Sequence, residues 1–213
     1  MSTRCEPIGA ELRPIDNVST LAVGDLSAEA AAIIIQYPNT EGKLYDHLER
    51  LIRAAHRHNV TKLILSLSSL SLILVILVCD LLSLTLIRSP GDLGADIAVG
   101  TSQRFGLPLG YGGPHAGFIC VKDLALARQM PGRIVGVSRY AVYHGPRRLV
   151  QIAKIVHKSA AYLAQKLKAN GIEVEHKEFF DTIKAKPKEM DDFRKRCEEQ
   201  QINVIHSCSS DLN

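Results

Sequence analysis

Apolar and polar positions along this 213-residue chain follow two periods, one of strands and one of helices. The run at 31–38 (AAIIIQYP) is short, apolar and closed by proline, which predicts a buried strand ending at a loop. Asn39 and Thr40 are suited to cap a helix, and Glu41 would then sit in a first turn where its charge matches the dipole. Leu44, Leu48, Leu51, Ile52 and Ala55 recur at helical spacing, so an amphipathic helix is expected over 41–58. Strand, loop, helix and a further apolar run is the rhythm of a parallel sheet. SPGD (89–92) reads as a turn, 95–100 as another buried strand, and Tyr37 with Thr40, Glu41 and Gly42 as the start of the capped helix. The segment 105–122 carries five glycines and two prolines and runs into a strand, GFICV, after which Asp123 can cap a short helix. PGR (131–133) marks a turn.

The last third changes character. Leu149, Ile152, Ala153, Val156, Ala160, Leu163 and Leu167 form a helical stripe over 147–169, and Asn170-Gly171 is a stop signal. IEVEH (172–176) alternates like a half-buried strand, with DTIK (181–184) as its expected partner. Pro187 suits a first helical turn, and INVI (202–205) reads as a final strand. The expected organisation is therefore a polar lead-in at 1–28, a large α/β domain at 29–141 and a small α+β domain at 142–213.

One stretch breaks the pattern. Residues 63–87 hold a single charge, Asp80, in 25 positions, which raises a membrane span. Its serines, its mid-stretch aspartate and the absence of a flanking aromatic belt favour buried strands, or a strand and a helix, instead. A net charge of +4 with lysines and arginines spread over helical segments offers no basic stripe for nucleic acid. Five cysteines without a CxxC spacing argue against a disulfide scaffold or a zinc site and fit a reducing compartment. The opening residues show neither a signal peptide nor a transit peptide. His56 and His58 lie two apart on a helix and face different ways, while His144, His157, His176 and His206 show no ligand spacing. No metal site is expected.

Three strings carry a resemblance: QYPNTEG (36–42), DLLSLTLIRSPGDLGADIAVGTSQRFGLPLGYGGPHAGF (80–118) and MPGRIVGVSR (130–139). It resumes at VYHG (142–145) and runs to about residue 203. Through them the sequence resembles the glycine dehydrogenase (decarboxylating) family, the P-protein of the glycine cleavage system, and within it the N-terminal half. The resemblance implies a fold-type-I, pyridoxal-phosphate (PLP) transferase-like large domain with a mainly parallel sheet, plus a small α+β domain. It also implies PLP-dependent decarboxylation of glycine, with the aminomethyl group passed to the lipoyl arm of H-protein, the cofactor's ring serving as electron sink. The catalytic C-terminal half of that family holds PLP on a lysine. Here TSQRFG puts Gln103 at that place, and an amide nitrogen cannot form a Schiff base.

The chain is thus expected not to hold PLP covalently, with Ser102, Gln103, Gly112, Gly113 and His115 as a degenerate loop of the cofactor site. Either that loop is a tight turn in a relic site, or it abuts the catalytic half. Asp80 invites comparison with an aspartate on the PLP ring nitrogen, but its spacing to Gln103 favours a structural role. Two departures stand out: apolar residues at 63–79 look like an insertion, and SRYAVYHG joins places the family keeps several dozen residues apart. The expected partners are a catalytic C-terminal half and H-protein. The expected compartment is the mitochondrion in a eukaryote and the cytoplasm in a prokaryote. A non-catalytic truncated paralogue that binds the catalytic half is the alternative, and a membrane-associated protein a third.

Overall fold

A computed structural model describes residues 5–15, 18, 21, 30–65, 73–113, 115–128, 130 and 139–205, with the backbone alone for 58–65 and 139–143. The chain divides into two compact units, one of residues 1–37 and 45–149, the other of residues 38–44 and 150–213. The turn at 131–133, most of the lead-in at 1–28, and His206 and Cys208 lie outside the described residues.

In the first unit, alternation becomes a sheet. Strand β1 (Ala32–Tyr37) buries Ile33, Ile35 and Tyr37 and exposes Ala32, Ile34 and Gln36. Helix α1 (Leu48–Leu65) follows, and Leu48, Leu51, Ile52 and Ala55 on one stripe are buried. Strand β2 (Leu74–Asp80) buries Val75, Leu77 and Cys79. A helical turn α2 (Pro90–Leu93), capped by the Ser89 hydroxyl accepting from the Asp92 N–H, leads to β3 (Ile97–Thr101). Strand β4 (Gly117–Val121) and the short helix α3 (Leu124–Ala127) follow, and the unit also holds helical residues 139–149. The sheet order is β1-β2-β3-β4, with the first three strands parallel and β4 antiparallel to β3. A loop, not a helical crossover, joins β3 to β4, which is why that pair runs antiparallel.

The apolar stretch resolves into parts. Residues 63–65 end α1, 66–72 lie outside the described residues, and Ile73 with β2 forms the middle of the sheet. A parallel strand with neighbours on both sides reads as a continuous apolar run, and that produced the membrane-like signal. Among the described residues no helix is long and apolar enough to cross a membrane. A buried carboxylate pins the base of the sheet: Asp96 Oδ2 accepts the Val75 N–H at 2.9 Å and lies 2.9 Å from His56 Nε2.

The second unit is built on residues 150–169 of α4 (Arg139–Ala169), which is two helical segments joined at Gly145 (φ 65°, ψ 171°), with Pro146 opening the second. Within residues 150–169 its buried positions are Ala153, Ala160 and Ala164, so the apolar stripe is narrower than expected and Leu163 is exposed. Gly171 (φ 76°) ends the helix as the sequence indicates. Strand β5 (Glu173–Val174) pairs with β6 (Ala185–Lys186). The partner is thus displaced from 181–184, because Phe180 turns inward and is buried under the His157 side chain, whose Nδ1 lies 2.8 Å from the Phe180 carbonyl.

Helix α5 (Met190–Glu199) begins at Met190, later than Pro187 indicates, and residues 202–205 form no strand, Ile205 being fully exposed. An apolar run without a neighbour to pair with stays irregular. The expected helix over 41–58 is corrected as well, since it begins at Leu48. Residues 38–44 form a turn of the second unit instead. Asn39 Oδ1 accepts the Lys43 N–H at 2.7 Å, Gly42 has φ 84°, and Lys43 bridges to Phe179. A Cβ on Gly42 would lie 2.2 Å from the Thr182 carbonyl oxygen, so the chain cannot enter a helix there.

Candidate functional site

In open α/β sheets, ligands gather at the carboxyl ends of parallel strands. Asp80 ends β2 there, opposite Thr101 at the end of β3, which in turn faces Gly117 at the start of β4. Strand β3 can sit this close only because position 100 is glycine. A Cβ on Gly100 would lie 2.4 Å from the Cys79 carbonyl oxygen and 2.7 Å from the Phe118 ring.

The loop from 102 to 116 starts and ends at one carbonyl. The Ser102 N–H donates to the Ala116 oxygen at 2.9 Å and its hydroxyl donates to the same atom at 3.1 Å. Gln103 opens a 3-10 turn, Gln103–Phe105, whose carbonyl accepts from the N–H groups of Gly106 and Leu107. Further on, Gly110, Tyr111 and Gly112 all have positive φ (54°, 50° and 90°), and the Gly113 N–H donates to the Leu109 carbonyl at 3.2 Å. Tyr111 is fully exposed, and Leu109 beside it and His115 are exposed. An aromatic residue in the left-handed region costs about 1 kcal/mol or more.

Asp80 is committed to protein contacts. Its Oδ1 accepts the Leu82 N–H at 3.1 Å, and Arg104 Nη1 lies 3.6 Å from Oδ2. Burial, then the nearby Asp80 charge, pushes the Cys79 thiol up to about 12, so it is no nucleophile. These residues do not fit a covalently held PLP. An imine requires an amine near Gln103, and the next lysine, Lys122, is at the other end of the sheet, its N–H donating to the Asp96 carbonyl. Five residues of β3 separate the two ends, about 17 Å at the rise of a strand. The amides of Ser102, Phe105, Gly106, Leu107 and Gly113 are spent inside the loop, so they form no anion cradle.

A second constellation lies in the other unit. Ligand atoms of Glu41, Glu175 and His176 all fall within 4.8 Å of one another. Lys184 donates to Glu41 Oε1 and lies 3.5 Å from Glu175 Oε2, while Lys186 Nζ is 3.0 Å from that oxygen. The lysines hold the Glu175 carboxyl below its ordinary range, Lys186 most strongly. The Glu41 carboxylate raises the Lys184 ammonium in turn. His176 is only 9% exposed, and its Nε2 has no hydrogen bond, with Glu41 Oε2 at 3.5 Å. Sequence reasoning missed this group, because 134 positions separate Glu41 from Glu175. The available signal was Gly42 beside Glu41, which argued against a helix there.

The chain was compared with known proteins. The family model described as glycine cleavage system P-protein matches residues 1–139 and 138–213, two segments meeting at the SRYAVYHG junction. A glycine dehydrogenase (decarboxylating) of Thermosynechococcus vestitus is 38% identical over 226 residues, covering 86% of this chain and 22% of that protein. The mitochondrial glycine dehydrogenase (decarboxylating) of Dictyostelium discoideum is 34% identical over 255 residues, covering 100% of this chain and 24% of that protein. That alignment runs to 255 positions against 213 residues here, so the relative carries residues that this chain lacks. A crystal structure of glycine decarboxylase (P-protein) of the glycine cleavage system, in inhibitor-bound form, superposes with a TM-score of 0.72 at 28% identity. It covers 92% of this chain and 52% of that one. The chain spans about a quarter or less of the length of these curated relatives, and it belongs to the glycine cleavage system P-protein family.

Proposed function

We propose that this chain is a lysine-less partial half of a glycine decarboxylase, a scaffold that works only beside a lysine-bearing catalytic half. The observation that carries this reading is Gln103, an amide at the end of β3, with Lys122 at the sheet's far end. PLP-dependent decarboxylation of glycine, with aminomethyl transfer to lipoyl H-protein, belongs on this reading to the assembled pair. This chain binds no PLP covalently. Its loop, with Ser102, Gln103, Gly112, Gly113 and His115, shapes the paired site from outside. Tyr111 supports that role: a strained, fully exposed aromatic beside exposed Leu109 suits a surface that docks against another chain. The compartment is the mitochondrion in a eukaryotic host and the cytoplasm in a prokaryotic one.

The test mixes the purified chain with a lysine-bearing C-terminal half. The expected result is an imine absorbance band and glycine–bicarbonate exchange above that of the catalytic half alone, both weakened by Tyr111→Ala. Binding without any gain in exchange would replace this reading with the truncated, non-catalytic interaction partner. That alternative is favoured by one observation, the family match breaking at 138–139. Borohydride reduction in the presence of PLP, followed by a labelled lysine in this chain, would overturn both.

A further inference from the structure

We propose that Glu41, Glu175 and His176 form a binding site for a divalent transition-metal ion of the zinc class, independent of the decarboxylase reading. One imidazole nitrogen and two carboxylates are a donor set such ions accept. The ligand atoms are already within 4.8 Å of one another. Ligands around tetrahedral zinc stand about 3.4 Å apart, so side-chain shifts of about 1 Å close the site without moving the backbone.

The buried imidazole points to an ion. His176 Nε2 is 9% exposed as a residue, has no hydrogen bond and faces the carboxylate pair. A buried polar atom left this way costs about 1–3 kcal/mol, and a metal ion bonded to it removes that cost. The site also already selects a cation: the Lys184 ammonium reaches both carboxylates, donating to Glu41 and lying 3.5 Å from Glu175. The Lys184 ammonium bonds the carboxylates and leaves His176 Nε2 without a hydrogen bond, whereas a divalent ion can take all three ligands. Lys184 is therefore the ion's competitor, and Lys186, 3.0 Å from Glu175 Oε2, a weaker one. Bound metal would clip the 38–44 turn to residues 175–176, which follow β5.

The experiment is a Co²⁺ titration of the full chain followed by its visible absorption, repeated with Zn²⁺ displacing Co²⁺. The expected result is one ion per chain, binding lost by at least tenfold in both His176→Gln and Glu41→Gln, and tightened by at least tenfold in Lys184→Met. The gain in Lys184→Met keeps the test decisive if a loss variant fails to fold. No visible band, a thiolate charge-transfer band placing the ion on cysteine, or unchanged affinity in Lys184→Met would each overturn the proposal.

Discussion

The two faces of strand β1 differ sharply in exposure. Ile35 is 3% exposed, and Ile34, one residue earlier and chemically identical, is 39% exposed. The registers extend the second face across the sheet, from Ile34 to Ile76 to Ile97, and from Val99 to Ile119. Parallel sheets ordinarily bury both faces, and here the described residues bury one. The sealed face is where this chain's own stability resides. The open face carries strand-forming residues whose burial the described part of the chain does not complete, as suits a piece of a larger protein.

The largest expected effect tests the sealed side at its tightest point. Gly100→Ala forces a Cβ into the Cys79 carbonyl and the Phe118 ring, and should prevent folding, read as loss of the cooperative urea transition. The comparison itself is broken or sharpened by one pair of variants. Ile35→Ala should cost about 2–5 kcal/mol, while Ile34→Ala should cost under about 1 kcal/mol, measured by the same unfolding curves. Equal losses would mean that both faces are covered. Next comes Asp96→Ala, which strands the Val75 N–H and the His56 contact and should cost about 1–3 kcal/mol.

The smallest effect is one of pH. The lysines depress the Glu175 carboxyl below its ordinary 4.5, so its contribution is complete above that value and is lost as pH falls through the lower, folded one. Glu41 raises the Lys184 ammonium above its ordinary 10.5, so that contribution is complete below 10.5 and fades as pH rises beyond it. A thermal-melt series should therefore be flat between these limits with respect to this cluster. In Glu175→Gln the acid-side loss should shrink.

Much of the sheet was legible because each strand is short, apolar and closed by a turn residue. Runs at 31–38, 95–100 and 117–121 became β1, β3 and β4 within a residue or two. What misled was local chemistry overruled by distant partners. Asn39, Thr40 and Glu41 make a good helix cap, yet Thr182 and Phe179 hold that turn in an extended course, and no pattern in the sequence couples positions so far apart. INVI at 202–205 is apolar like a strand but finds no partner strand among the described residues. Of the site, Gln103 and the glycines at 106–113 could be read directly, because a missing amine and a run of flexible residues are local facts. The Glu41, Glu175 and His176 group could not, being assembled by folding alone.

Strand β1 has a further consequence for the chain's life in a cell. Among the described residues no strand lies beyond it in the sheet, and AIIIQY holds no charge, proline or glycine to blunt that edge. A second copy can lay its own β1 along that edge, and since the opposite edge of each β1 is already held by β2, the pairing closes at two copies. Such pairing depends on concentration, so a monomer–dimer equilibrium read by sedimentation is expected. Ile34→Lys should abolish it while leaving the monomer's melt nearly unchanged.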